Sequence, residues 1–322
     1  MTKAQPLSLD KFIESSKVDL EQKLTDMITD KKITSILEGG KRLRPLLAYL
    51  SFKACTQGKE KHDQYQKALE GAVVIELAHA ASLVHDDIID NDMERRGKPS
   101  FFVTEGIRSA ILTGHKMLLA GFNITLKHGK EIAKLYLESW NEIVNGEIDE
   151  VTFNKKDIKN LKKAGTKSQI FKAYEKIIDL KTAALFSSAC KAGAIEADMT
   201  GDILKLFASY GREIGLAYQL ADDLVDLVKG EMIDSVIIPL LNRLENKGTK
   251  IKALKKKDIR KEFVKNKDKI KEVYVTEIKK HIRKAEEIGK SDIIPTSEYK
   301  NLLTDAPTYI INKMLKEIDI AI

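Results

Sequence analysis

The stretch that most constrains this chain is an alanine-rich apolar run, residues 66–90, which finishes in three aspartates, Asp86, Asp87 and Asp90. Ala68, Ala72, Ala78, Ala80 and Ala81 are strong helix formers with very small side chains, so one long helix is expected. On that helix Asp86 and Asp90 lie one turn apart on one face, with Cβ atoms roughly 5–6 Å apart. Such a pair at the end of an apolar wall needs partners or a metal. Hard divalent cations such as Mg2+ take one or two carboxylates together with waters and phosphate oxygens. The same acids would also suit a solvated helix end, and this stretch alone leaves both readings open.

The rest of the chain permits a helical protein. No proline lies between Pro99 and Pro239, so nothing there forbids long helices. A hydrophobic content of 43% over 322 residues supports a real core, in one large domain or two ordinary ones. Cys55 and Cys190 follow no metal or redox spacing and read as buried free thiols in a reducing compartment. The first residues, Met1 to Pro6, carry no apolar signal, and no run of about 18 apolar residues occurs. A soluble cytoplasmic protein without a transmembrane segment is expected. The net charge of +7 hints at nucleic acid, but its location argues otherwise. Residues 250–290 hold 16 Lys+Arg against 7 Asp+Glu, a balance of +9 that leaves about −2 for the remainder. That stretch is densest at Lys255, Lys256 and Lys257 and has few aromatics for base stacking. It reads as a solvated helical face, with no nucleic-acid partner.

In chain order, residues 9–31 show helical spacing of Leu9, Phe12, Ile13, Leu20, Leu24, Met27 and Ile28. Glu38-Gly39-Gly40-Lys41-Arg42-Leu43-Arg44-Pro45 then suits a tight loop opening a helix at Pro45. Backbone N–H groups at a helix start and Lys/Arg side chains attract phosphate, although a basic capping loop would look the same. After Asp90, Arg95 and Arg96 can grip what a metal at the aspartates would hold. Helices are expected over 105–127, 131–150, 167–193 and 203–228, the third carrying Lys181 in a small, apolar turn. The last ends Tyr218-Gln219-Leu-Ala-Asp222-Asp223-Leu-Val-Asp226, a second copy of the device at 86–90. Two such helices facing each other would hold divalent cations between them, which a chance solvated end does not explain. A phosphate-binding Gly-x-x-x-x-Gly-Lys-Ser/Thr loop is absent. Metals, cations and small apolar side chains together suit a diphosphate with a long apolar tail.

These motifs resemble those of the trans-isoprenyl diphosphate synthases, the polyprenyl synthetase family, over nearly the whole chain. The match rests on Gly39–Pro45, Asp86–Asp90 with Arg95-Arg96-Gly97, Lys181-Thr182-Ala183 and Tyr218–Asp226. The resemblance is closest to geranylgeranyl and geranylfarnesyl diphosphate synthases. It implies an all-α fold, a single domain spanning 1–322 with 250–290 within it. The expected architecture is a bundle of antiparallel helices around a deep central apolar cavity, usually as a homodimer. It implies that Asp86 and Asp90 bind two Mg2+ and Asp222 a third, with Asp87, Asp223 and Asp226 supporting. Those ions, Arg95 and Lys181 would hold an allylic prenyl diphosphate, and Lys41, Arg44, His79 and Arg96 isopentenyl diphosphate. Gln219 and the Lys181/Thr182 backbone would face the allylic cation. The implied reaction is head-to-tail condensation with release of diphosphate.

The sequence departs from the family's pattern in places. Ser100 replaces a threonine, His115 an aspartate, and Glu147 the glutamine of a Gly-Gln pair. After Asp226 the loop to Pro239 is short, with Lys229 as the cation left to reach the allylic diphosphate. Short-product members place a bulky aromatic four or five residues before the first aspartate, where this chain has Ser82 and Ala81. Ala78 lies a turn further down, then Val74 or Ile75. A product of C20 or longer is therefore expected, C20–C25 if Ile75, Val74 or an opposing Phe122 closes the floor. Two other readings compete. A class I terpene cyclase would not need the 39–45 loop or a second full Asp-Asp-x-x-Asp. A catalytically silent subunit of a prenyl synthase heteromer would be marked by lost aspartates, and none is lost.

Overall fold

The computed structural model describes residues 7–152, 174–229 and 265–322. The fold is all-α. Helices α1 (Leu9–Met27), α2 (Lys31–Leu37), α3 (Leu43–Thr56) and α4 (His62–Asp90) are followed by a hairpin of two-residue strands, β1 (Glu94–Arg95) and β2 (Lys98–Pro99). Then come α5 (Phe101–Glu105), α6 (Ile107–His128), α7 (Lys130–Thr152), a π-turn at Asp179–Ala183 and α8 (Ala184–Glu196). Helices α9 (Asp202–Lys229), α10 (Lys267–Gly289) and α11 (Glu298–Leu315) complete the order. Two segments read as continuous helices in the sequence are interrupted. Residues 9–31 stop at Met27 because Asp30 caps a new helix, its Oδ1 accepting from the backbone N–H groups of Lys32 and Ile33. Residues 174–193 are broken by the π-turn, an insertion in the helical ladder often found at functional positions.

The chain divides into two compact units. The first comprises Met1–Trp140, Leu185–Gly211 and Ile288–Thr304; the second comprises Asn141–Ala184, Arg212–Glu287 and Asp305–Ile322. In the first, α4 is the buried centre, with every residue from Gly71 to Ala78 inside. Its Ala72, Val73, Leu77, Ala80, Ala81 and Val84 pack with Leu20 and Leu24 of α1, Ile33 and Leu37 of α2, and Ala110 and Met117 of α6. Small residues let the helices approach closely, which is why the Ala-rich composition and the central position go together. An ion-paired cluster ties Glu70 of this helix to α6 and α8. His128 Nδ1 lies 2.7 Å from Glu196 and its Nε2 3.0 Å from Glu70.

In the second unit, α10 buries Ile270, Val273, Tyr274, Ile278, Ile282 and Ala285. Its exposed face carries Lys267, Lys269, Lys280, Arg283 and Lys284, of which Lys280 reaches the buried Glu277 and Lys284 reaches Glu213. The part of the basic stretch from 265 onward is thus the solvated face of an amphipathic helix. Lys255, Lys256 and Lys257 lie outside the described residues. Cys55 and Cys190 are free and buried, and burial pushes both thiols up to about 12. Among the described residues no helix is long and apolar enough to cross a membrane.

Candidate active site

In the first unit the Gly39-Gly40-Lys41-Arg42 loop is built around a buried guanidinium. Gly39 takes φ +71°, and Arg42 itself is left-handed at φ 56°. A Cβ on Gly40 would meet Arg42 Nη1 at 2.2 Å, so glycine is needed for the close approach. Arg42 Nη1 donates to Glu76 at 2.7 Å and its Nε to Glu21 at 2.9 Å. Arg42 is therefore a structural anchor that fixes its neighbours: Lys41 is exposed and Arg44 half-buried. Arg44 Nη1 lies 3.1 Å from His79 Nε2, and its guanidinium stacks 4.3 Å over the Phe186 ring. Burial and the charges of Arg44, Arg96, Arg95 and Arg42 drive the pKa of His79 well below its ordinary value. His79 is thus neutral, its Nε2 accepting from Arg44. The structure brings together these two of the residues expected to hold isopentenyl diphosphate.

The end of α4 places the first aspartates. Asp86 is half-buried and Asp90 exposed, while Asp87 is buried. Asp87 accepts from Arg95 Nε, and Arg95 Nη2 lies 3.7 Å from Asp92. Burial raises the Asp87 pKa, opposed by the Arg95 charge. Arg95 and Arg96 stand on the hairpin, where Arg96 (φ 55°) and Gly97 (φ 73°) form a two-residue turn with both φ positive. Arg96 Nη1 donates to the Glu38 carbonyl at 3.0 Å, tying the hairpin to the glycine loop. Ser100, which stands where the family has threonine, is buried and donates to the Asp92 carbonyl at 2.5 Å.

The residues expected to gauge product length fall into two groups. Ala81 is fully buried within the packed cluster of α1, α2, α4 and α6. Ser82, Ala78 and Ile75 lie outside that cluster, and their spacing of four and three puts them on one face. Ser82 is half-buried, its hydroxyl donating to the His79 carbonyl at 2.9 Å. Val74 is buried, and Phe122 on α6 stacks on Tyr136 with centroids 6.4 Å apart. His85 and His115 form an edge-on ring pair, 5.3 Å between centroids, where His115 replaces the family's aspartate.

In the second unit the π-turn and α9 make a continuous polar chain. Thr182 Oγ1 donates to Gln219 Oε1 at 2.7 Å, and Gln219 Nε2 donates to Asp223 Oδ1 at 2.9 Å. Tyr174 donates its hydroxyl to the other Asp223 oxygen. Burial pushes the Asp223 carboxyl up to about 7, with the two hydrogen bonds opposing and Asp222 and Asp226 adding to the rise. Asp222 and Asp226 are half-buried. Lys181 lies 2.7 Å from Glu147 and 2.6 Å from Glu150. Arg212 holds Asp179, the first residue of the π-turn, at 2.7 Å and Glu142 at 2.8 Å. Lys229, at the end of α9, is exposed and pairs with Glu317 at 2.7 Å. Sequence reasoning missed Tyr174, Arg212 and Glu150. Each acts across a fold contact, so no local spacing announces it.

The donor chemistry suits Mg2+. Among the described residues no three acidic, His or Cys side chains converge as an all-protein cage. Mg2+ does not need one, because it keeps waters and phosphate oxygens around one or two carboxylates. Each motif offers such carboxylates, with a buried aspartate behind them bonded to the protein.

The polyprenyl synthetase family profile matches residues 26–234, through both aspartate motifs. The chain belongs to the polyprenyl synthetase family. A short chain isoprenyl diphosphate synthase of Methanothermobacter thermautotrophicus is 33% identical over 233 residues. The match takes in 69% of this chain and 66% of the length of that relative. A geranylgeranyl pyrophosphate synthase from Lactobacillus brevis has the same fold, with TM-score 0.75 at 23% identity over 93% of this chain and 96% of that one. So does a polyprenyl synthase from Caulobacter crescentus complexed with calcium and isoprenyl diphosphate, with TM-score 0.71 at 21% identity over 96% and 98%.

Proposed function

We propose that this polyprenyl synthetase condenses isopentenyl diphosphate head-to-tail with an allylic prenyl diphosphate, releasing diphosphate and making an all-trans product of C20 or longer. The observation that carries the reading is the family match running through two complete Asp-Asp-x-x-Asp motifs, accompanied by Lys181, Thr182 and Gln219. The same unbroken match, residues 26–234, enters both compact units and supports a single polyprenyl synthetase domain over 1–322.

Asp86, Asp90 and Asp222 would hold Mg2+, three ions by the family's pattern, with Asp87, Asp223 and Asp226 supporting. The Caulobacter relative, bound to calcium and isoprenyl diphosphate, favours a divalent ion beside such a substrate. Bound Mg2+ would supply positive charge to the diphosphate oxygens. Arg95, Lys181 and Lys229 bind the allylic diphosphate. Lys41, Arg44, His79 and Arg96 bind isopentenyl diphosphate, and a neutral His79 keeps Arg44 oriented by accepting its hydrogen bond. Thr182 fixes the Gln219 amide by donating to its carbonyl oxygen, so that amide and the π-turn backbone present set dipoles to the reacting carbon. The allylic C1–O bond breaks, C4 of isopentenyl diphosphate bonds to C1, and a proton leaves to the released diphosphate.

Small Ser82 and Ala78 allow the tail past the first two turns of α4, and C20–C25 is favoured because Ile75 is the first larger side chain on that face. Ser82→Phe tests this, since Ala81 is committed to the packed core; it should shorten the product. A cytoplasmic homodimer fits as well. Helix α6 exposes Leu112, Leu119 and Leu126 at seven-residue spacing, 67, 63 and 54% accessible, and α7 exposes Leu137, Val144 and Val151 at the same spacing. Leu119→Glu should turn a dimer into a monomer by sedimentation. The reaction itself is tested by supplying labelled isopentenyl diphosphate with C5, C10 or C15 allylic primers and sizing the products. Label in all-trans C20 or longer chains supports the reading; no labelled prenyl product refutes it.

A further inference from the structure

Lys181 is held more tightly than a ligand-binding cation needs to be. Its ammonium lies 2.7 Å from Glu147 Oε2 and 2.6 Å from Glu150 Oε2. All three side chains are largely inside, with 21% of Lys181, 14% of Glu147 and 28% of Glu150 accessible. Glu150 receives a hydrogen bond from the ammonium, but Glu147 does not. Both Glu147 oxygens are buried with no hydrogen-bond donor, so proximity to Lys181 is the compensation this carboxylate has among the described residues. An uncompensated buried carboxylate is costly.

The backbone is shaped to make this contact. A Cβ on Gly146 would meet the backbone N of Lys181 at 2.7 Å and Leu180 Cβ at 2.8 Å. Glycine there lets α7 press against the π-turn, which brings the next residue, Glu147, onto the lysine. Flanking pairs fix the same two segments. Asp149 holds Lys176 at 2.7 Å, and Arg212 bridges Glu142 and Asp179.

We propose that Glu147 and Glu150 are a latch on Lys181 that sets the affinity of the enzyme for its allylic diphosphate. This rests on the reading of Lys181 as a diphosphate-binding residue. A diphosphate that takes the ammonium must draw it from two carboxylates and leave Glu147 buried without its counter-charge. Part of the binding free energy is spent on that separation, so the latch weakens binding of any diphosphate. A glutamine at 147 keeps the shape and removes the charge, and would release the lysine at lower cost.

The test is the dissociation constant of geranyl S-thiolodiphosphate with Mg2+, a non-ionising allylic analogue, measured by calorimetry. It is run on the wild type, Glu147→Gln, Glu150→Gln, Lys181→Met and the Glu147→Gln/Lys181→Met double variant, with thermal melts as folding controls. Glu147→Gln should bind about fivefold more tightly, the worth of one partly exposed ion pair. Glu150→Gln should shift in the same direction. In the Lys181→Met background the gain from Glu147→Gln should vanish. Unchanged affinity in both glutamine variants would overturn the latch and leave the prenyltransferase reading standing. A gain that persists undiminished without Lys181 would show simple repulsion and also overturn it. A wild type that does not bind the analogue would overturn the diphosphate reading and the latch with it.

Discussion

The two aspartate motifs read alike in sequence, yet their middle residues are neutralised by different means. Asp87 is buried against the guanidinium of Arg95, a full positive charge eight residues away on the hairpin. Asp223 is buried against neutral donors, the Tyr174 hydroxyl and the Gln219 amide, and its carboxyl is pushed up to about 7. A repeated motif is therefore not a repeated electrostatic device. The first is an ion pair that also aims an arginine. The second is a hydrogen-bonded chain that also aims a glutamine. In both, the outer aspartates share the helix end with a buried neighbour whose bonds fix the local backbone.

Substitutions in each motif separate the two devices. The largest effect is expected from the outer aspartates: Asp86→Ala and Asp222→Ala should each lower kcat by about 10³-fold or more, with little change in thermal stability. Equal losses would show that the two motifs serve the chemistry alike; retained activity in either would remove it from the metal set. Arg95→Met should cost about 2–3 kcal/mol of stability by denaturant melts, because Asp87 is left buried without its charge partner. Asp87→Asn in the same background should recover part of that loss. Tyr174→Phe should cost less, about 1–2 kcal/mol, since Asp223 loses one neutral donor and keeps Gln219. The smallest signal is the pH slope. A carboxyl raised by folding contributes stability that is whole below 3.8 and is lost as pH climbs through about 7. In metal-free buffer Asp223→Asn should flatten the decline over that window. An unchanged slope would show that Asp223 stays ionised through it.

The long helices were legible because their cause is local. The Ala-rich run, the absence of proline and the positions of Asp90 and Asp226 give α4 and α9 to within a few residues. The hairpin has no counterpart in the sequence reading, because its turn depends on a non-glycine residue, Arg96, at φ 55°, whose side chain is held by the Glu38 carbonyl. The π-turn left no readable trace, since the phase shift of about 100° from one extra residue is masked where Thr182 to Phe186 are buried without a break. The break at residue 30 was hidden because Leu24, Met27 and Ile28 keep the helical spacing almost up to the capping Asp30. Partners of the buried aspartates escaped for the same reason as the Glu147 contact: Tyr174 lies 49 residues from Asp223, and Lys181 31 residues from Glu150. The glutamate at 147 was visible as a departure, but its meaning needed the neighbouring lysine.

Turnover with both substrates decides whether this chain is a prenyltransferase. Purified chain is incubated with Mg2+, labelled isopentenyl diphosphate and farnesyl diphosphate, and both diphosphate release and label in extracted prenyl products are followed. One diphosphate should be released per five-carbon unit added, with a product of C20 or longer and loss of both signals on chelation of Mg2+. Diphosphate release without incorporation of isopentenyl units, or no reaction with any allylic primer, would contradict prenyl transfer.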